Sequence, residues 1–236
     1  KNIPVINEIV ILGMNHEQQH QELLITDLKY SLWFNPLNPS VMDIEEYTSE
    51  QESKWISVDS GVYEIGFKGG DFCYDNELNP HKVYINDFAI SSGLVTNQEY
   101  LEFMEAGGYD DPTYWHDEGW AWSKELEVKA PLYWEQKERD WFYYTLDGLK
   151  PIDKAASVAH VNFYEASAFA SWKGARLPTE FEWEVSQNHF EFMINQMVLR
   201  GASVATSEGH SRPTYRNFFH PKFRWQFMGI RLAKSL

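Results

Sequence analysis

Residues 14–34 contain neither Gly nor Pro, and Leu24, Leu28 and Leu32 recur at four-residue spacing. That periodicity predicts a helix over residues 4–34. The stretch "NPLNPS" (35–40) ends it, because each proline disfavours helical backbone in the residue before it. Residues 41–54, with "DIEEYTSEQESK", are polar and acidic and read as a linker or surface crossing. From Trp55 the period drops to two. "WISVDSGVYEIGF" and "HKVYINDFAISSGLV" alternate between Gly and Asn punctuation and predict short strands.

Helical pattern then returns three times. "TNQEYLEFMEAGG" has Thr96 or Asn97 placed to cap a helix and Gly107–Gly108 to end it. "NFYEASAFASWKG" repeats that plan. In "RLPTEFEWEVS", Pro178 stands near the first turn and Thr179 precedes Glu182 by three residues, the spacing of a capping box. The remainder reads as short strands and long aromatic loops, without internal repeats. The pattern predicts a helical N-terminal piece followed by an α+β domain poor in regular structure, with boundaries at 1–40, 41–54 and 55–236.

Composition narrows the function classes. The 236 residues include ten Trp and 16% aromatics, enough to line pockets as well as fill a core. A formal net charge of −15 repels phosphate backbones, so no nucleic-acid partner is expected. No apolar run is long enough to span a bilayer, so no membrane partner is expected either. No secretory leader is visible in "KNIPVINEIVILG". Cys73 is the single cysteine, which precludes an internal disulfide and fits a cytoplasmic setting.

The chemistry is concentrated in "GMNHEQQHQELLITDLKY" (13–30). Positions four apart on a helix lie 40° apart, so His16 and His20 can direct both imidazoles at one ion. Gln19 lies 60° to the other side of His16 and can line the same pocket, and Leu23 can pack beneath it. Two neutral imidazoles suit Zn, Fe, Cu or Ni without choosing among them, and a third ligand must come from elsewhere. Two histidines at helical spacing with no metal role are the plainer reading. "HEQQH" also spells H-E-x-x-H, which would make Glu17 the general base of a zinc peptidase with Glu45 or Glu46 as third ligand.

Several stretches decide between these readings. "GMNHEQQHQELLITD" resembles the last iron-binding helix of the DinB-like bundle in the ergothioneine-biosynthesis nonhaem iron sulfoxide synthases. Residues 74–109, 161–184 and 197–233 resemble the formylglycine-generating-enzyme-like (sulfatase-modifying-factor-like, C-type-lectin-like) domain of the same enzymes, in the family's order. The last of these, "MVLRGASVATSEGHSRPTYRNFFHPKFRWQFMGIRLA", matches the synthases well beyond the generic domain. The fold implied is α+β: part of a DinB-like bundle, then a C-type-lectin-like domain with little regular structure.

The resemblance implies an oxidoreductase that binds Fe(II) through three histidines. It would join a cysteine-type thiol (cysteine or γ-glutamylcysteine) to the imidazole of hercynine, using O2, and oxidise the sulfur to a sulfoxide. Carried over, His16 and His20 are two iron ligands, and Gln19 contacts the hercynine imidazole or holds its neighbour. Tyr215 in "TYRNFF" is the candidate donor of a proton or hydrogen atom to the reacting oxygen. Arg212 or Arg216 can pair with a substrate carboxylate or form a structural salt bridge. Asn217 can read a ligand polar group or cap its loop. A trimethylammonium group suits aromatic faces and an acidic field.

Formylglycine-generating enzymes use a cysteine pair. Cys73 stands alone and reads instead as a small buried hydrophobe. A lectin-like binding module with a degenerate metal helix remains the noncatalytic alternative.

Two departures from the family matter. The upstream helices and the first ligand histidine are expected before Lys1, since a lone helix would leave its apolar face uncovered. Only twelve residues separate Glu184 from Met197, where the family has several dozen. His81, His116, His160, His189, His210 and His220 are the other histidines that can in principle donate the third ligand; His81 and His220 sit in stretches that match the family's scaffold and are not assigned to iron.

Overall fold

The computed structural model describes residues 3–43, 53–189, 200 and 202–236. Helix α1 (Ile3–Trp33) comes first. A sheet is built from β1 (Trp55–Val58), β4 (Phe88–Ser91) and β8 (Ala233–Ser235), all antiparallel in the order β1-β4-β8. The hairpin of β2 (Gly61–Ile65) and β3 (His81–Ile85) lies between β1 and β4 in sequence, with Tyr63 opposite Val83. Helices α2 (Asn97–Glu105) and α3 (Asp117–Glu125) follow. A meander of β5 (Trp134–Lys137), β6 (Asp140–Thr145) and β7 (Gly148–Pro151) leads to α4 (Phe163–Trp172) and α5 (Glu180–His189). The strand β8 closes the first sheet from the far end of the sequence, so the C-terminal loops are drawn back over the domain.

Three helix starts follow the same local chemistry. Thr96 and Glu99 at α2, and Asn162 and Glu165 at α4, exchange reciprocal side-chain and backbone hydrogen bonds. At α5 the Thr179 amide donates to Glu182 at 2.7 Å and the Glu182 amide donates back to Thr179 Oγ1 at 3.2 Å. Each exchange satisfies donors that a helix start otherwise leaves without partners. Asn162→Ala is expected to lower unfolding free energy by about 1–2 kcal/mol, read by urea denaturation.

The main core packs Tyr100, Phe103, Phe169 and Trp115 with Val158 and Ile230 between α2, α4 and the C-terminal strand region. Tyr100 and Phe169 stack with centroids 5.5 Å apart. A second cluster, with Ile65, Ile85, Phe88 and Val185, joins the β2–β3 hairpin to α5.

Helix α1 does not turn its leucine repeat to the domain. Its polar side faces the domain: Thr26 and Lys29 are buried there, while Leu24 and Leu28 of the leucine repeat stay 68% and 42% exposed. Lys29 Nζ lies 2.8 Å from His160 Nε2 and stands over the rings of Tyr133 and Phe227 at 4.6 and 5.0 Å. Trp33 adds edge and tilted contacts to Tyr133 and Tyr144, each at 5.8 Å. Most of the acidic linker stretch, 44–52, lies outside the described residues, as does most of the short join between Glu184 and Met197.

Candidate active site

On α1 the imidazoles of His16 and His20 lie side by side, with ring centroids 4.4 Å apart and planes tilted by 58°. Both are exposed. Leu23, expected to pack beneath them, is 38% exposed instead, because the domain meets the opposite, polar side of the helix. One turn of helix thus places two imidazoles side by side on one face, as helical spacing of four requires. Among the described residues, no group of three or more His, Cys, Asp or Glu is arranged to hold a metal ion. The residues present fit two positions of a metal site. Glu45 and Glu46, which the peptidase reading needs, lie outside the described residues.

The polar side of α1 interlocks with the segment 203–215. Gln18 Oε1 accepts from His210 Nδ1 at 3.0 Å, and Gln19 Nε2 donates to Tyr215 Oη at 3.0 Å. The Ser207 hydroxyl donates to Gln21 at 3.0 Å, and Ser203 and Thr206 donate to the Glu22 carboxylate at 3.0 and 2.8 Å. Two candidates chosen from sequence, Gln19 and Tyr215, are therefore in direct contact across 196 residues. Gln18, Gln21 and Glu22 had no signal in the sequence, because their partners lie in a loop without periodic pattern.

Tyr215 is buried and its ring packs 4.9 Å from that of His210. Burial pushes its phenol up, the Gln19 hydrogen bond pulls it down and the Glu22 charge pushes it up again, leaving it above the ordinary tyrosine value. The phenol therefore keeps its proton at neutral pH. Because Gln19 donates to Oη, the phenolic proton is free to be given elsewhere.

The other candidates each have a partner within the protein. Arg212 donates through Nε and Nη2 to Glu77, and Arg216 Nε donates to Glu180 at 2.6 Å. Asn217 Oδ1 accepts from the Phe218 amide at 2.9 Å, capping its own loop. Cys73 is half-buried rather than enclosed, with its thiol pushed up by burial and by the Glu77 charge. A cleft of about 1460 Å³ runs along another flank of α1, lined by Glu17 and Gln18 on the helix and by Phe72 and Arg212 on the domain. His16, His20, Gln19 and Tyr215 do not line it. The cleft is therefore set apart from the paired imidazoles.

Comparison with known proteins identifies the domain. Residues 41–189 match the sulfatase-modifying factor enzyme 1-like domain. The hercynine oxygenase of Mycolicibacterium smegmatis is 34% identical over 175 residues, which is 73% of this chain and 40% of that protein. The hercynine oxygenase of Mycobacterium tuberculosis is 32% identical over 180 residues, 75% of this chain and 41% of that protein. The formylglycine-generating enzyme of Thermomonospora curvata is 28% identical over 167 residues, 61% of this chain and 52% of that protein. The chain spans about two-fifths of the length of the hercynine oxygenases it matches. No helix among the described residues is long and apolar enough to cross a membrane. On the extent of the domain match, this chain belongs to the sulfatase-modifying factor enzyme 1-like family.

Proposed function

We propose that the chain takes part in hercynine oxidation in the cytoplasm, as an iron- and O2-dependent enzyme that joins a cysteine-type thiol to the hercynine imidazole and forms a sulfoxide. The observation that carries this reading is the side-by-side His16–His20 pair on a helix whose Gln19 is bonded to Tyr215. The names of the relatives at 32–34% identity support it. In this reading residues 1–40 are the C-terminal part of a DinB-like bundle, 41–54 the linker and 55–236 the formylglycine-generating-enzyme-like domain.

His16 and His20 would hold Fe(II) as neutral imidazoles. The metal, when bound, supplies O2 activation and favours the thiolate form of the sulfur substrate. Gln19 orients the Tyr215 hydroxyl and presents its own carbonyl oxygen to the substrate imidazole. Tyr215, protonated at neutral pH, gives its proton from Oη. Arg212 and Arg216 hold the Tyr215 segment through Glu77 and Glu180.

Purified protein incubated with Fe(II), O2, hercynine and either cysteine or γ-glutamylcysteine is expected to consume O2 and yield the sulfoxide, detected by mass spectrometry. Hercynine binding with neither O2 uptake nor sulfoxide would replace this reading with a noncatalytic module. Gln19→Leu is expected to weaken hercynine binding by about 10-fold, from one lost hydrogen bond, measured by calorimetry. Unchanged affinity would remove Gln19 from the substrate pocket.

A further inference from the structure

Tyr215 lies in a stretch without helix or extended strand. Among the described residues, that backbone is tied to a neighbour by an isolated bridge between Arg200 and Arg216 and by Arg200 Nη1, which donates to the Pro213 carbonyl at 3.0 Å. Side-chain contacts add to these ties in holding Tyr215. A donor of a proton has to be held within about 0.5 Å of its working position, and a 1 Å displacement can cost on the order of 100-fold in rate. Gln19 fixes the hydroxyl from the helix side. On the domain side, the contacts from the residues just before Tyr215, Arg212 and Thr214, converge on one carboxylate.

Glu77, at the end of a short 3-10 turn (Asp75–Glu77), is fully buried. Oε2 accepts from Arg212 Nε at 3.0 Å and from Thr214 Oγ1 at 2.6 Å. Oε1 accepts from Arg212 Nη2 and from the Tyr74 amide, the latter at 2.9 Å. Arg212 and Thr214 are the third and first residues before Tyr215. The Arg212 guanidinium also lies 5.6 Å from the Tyr215 ring centroid, 5.8 Å from that of Tyr74 and 5.6 Å from that of Phe72. Its remaining amino group donates to the His210 carbonyl at 3.1 Å, and the Tyr215 amide donates to the Arg212 carbonyl at 3.0 Å. Both guanidinium edges are thereby occupied within the protein. Burial pushes the Glu77 carboxyl up, but hydrogen bonds from Arg212, Thr214 and the Tyr74 amide, with the Arg212 charge, hold it below the usual range.

We infer that Glu77 is a positioning residue for the Tyr215 hydroxyl, clamping Arg212 and Thr214 so that the phenol meets Gln19 on the histidine-bearing helix. The inference rests on the reading of Tyr215 as proton donor. Charge-assisted, bidentate bonds suit the task, because they fix direction as well as distance. Glu77 acts through its neighbours and touches no reacting atom.

The test places Glu77→Gln, which keeps shape but loses charge, in both the native and the Tyr215→Phe backgrounds. In the native background kcat is expected to fall about 10-fold or more while KM for hercynine changes less than about 3-fold. In the Tyr215→Phe background the same change is expected to have no further effect on kcat. A second readout needs no turnover. With tyrosine labelled at ¹³Cζ, the Tyr215 resonance, assigned by its loss in Tyr215→Phe, is expected to shift and broaden in Glu77→Gln.

Thr214→Val removes one arm of the clamp with the buried ion pair intact, and serves if Glu77→Gln does not fold. It is expected to move the same resonance. Equal loss of kcat in both backgrounds, or an unmoved resonance, overturns the inference. Full turnover by Tyr215→Phe would instead sink the proton-donor reading, leaving the resonance to judge the clamp alone.

Discussion

His16→Ala and His20→Ala are each expected to lower Fe(II) affinity by on the order of 100-fold or more, measured by anaerobic equilibrium dialysis and metal analysis. The two imidazoles approach one another from successive turns of α1. Removing either leaves a single nitrogen on that helix. Each variant keeps the Gln19–Tyr215 contact, which lies on the side of α1 facing the domain. The loss should therefore appear in metal content while the fold is preserved. Asn15→Ala is a suitable control, since Asn15 donates within the helix, to the Ile11 carbonyl at 3.0 Å. Retention of iron by both histidine variants would withdraw the metal assignment. Recovery of zinc in place of iron would turn attention back to the peptidase spelling of the motif.

Lys29→Met is expected to stabilise the protein at pH 7 by about 1–4 kcal/mol, read by urea unfolding. Lys29 is 4% exposed, and burial pulls its amine down from 10.5 to about 7. The unfolded chain keeps this proton up to about pH 10.5, whereas the folded chain releases it from about pH 7. Between those values the unfolded state binds more protons, so stability rises with pH across the window. Below pH 7 both states are charged and the burial penalty is complete. The advantage of Lys29→Met should consequently be largest at pH 7 and below and narrow by pH 9.5. A variant less stable than the native protein at pH 7, or a gap that ignores pH, would show that the aromatic contacts of the ammonium outweigh its desolvation.

His160 adds an acid limb. Burial, then the Lys29 charge, keeps its imidazole well below the ordinary value. The unfolded imidazole protonates near pH 6.5 while the folded one stays neutral, so stability falls as pH drops below about 6.5. Lys29→Met should soften that fall by removing the adjacent charge.

The sequence made the helix starts legible and the helix surroundings illegible, for a physical reason. A cap is a four-residue event: Thr96 with Glu99, Asn162 with Glu165 and Thr179 with Glu182 can all be read locally. Helix α3 escaped that reading because His116, at its start, makes no side-chain cap. The site divides in the same way. The His16–His20 spacing is local and visible. Gln18 and Glu22 find partners more than 180 residues away, in a loop whose pattern announces no element. Lys29 misleads outright, since a lysine on a helix reads as a solvent-facing residue and here it is enclosed by rings. Arg212 and Arg216 carried two readings because a guanidinium serves an internal and an external carboxylate equally well. The internal partners, Glu77 and Glu180, lie far from them in sequence.

The reciprocal bonds at the starts of α2, α4 and α5 also bear on how such a domain can change. Where four neighbouring residues define a boundary, the connection leading into it is free to lengthen, shorten or be rewritten without shifting the helix that follows. A scaffold with few strands and long connections can then exchange the surfaces those connections build while its interior keeps the same packing.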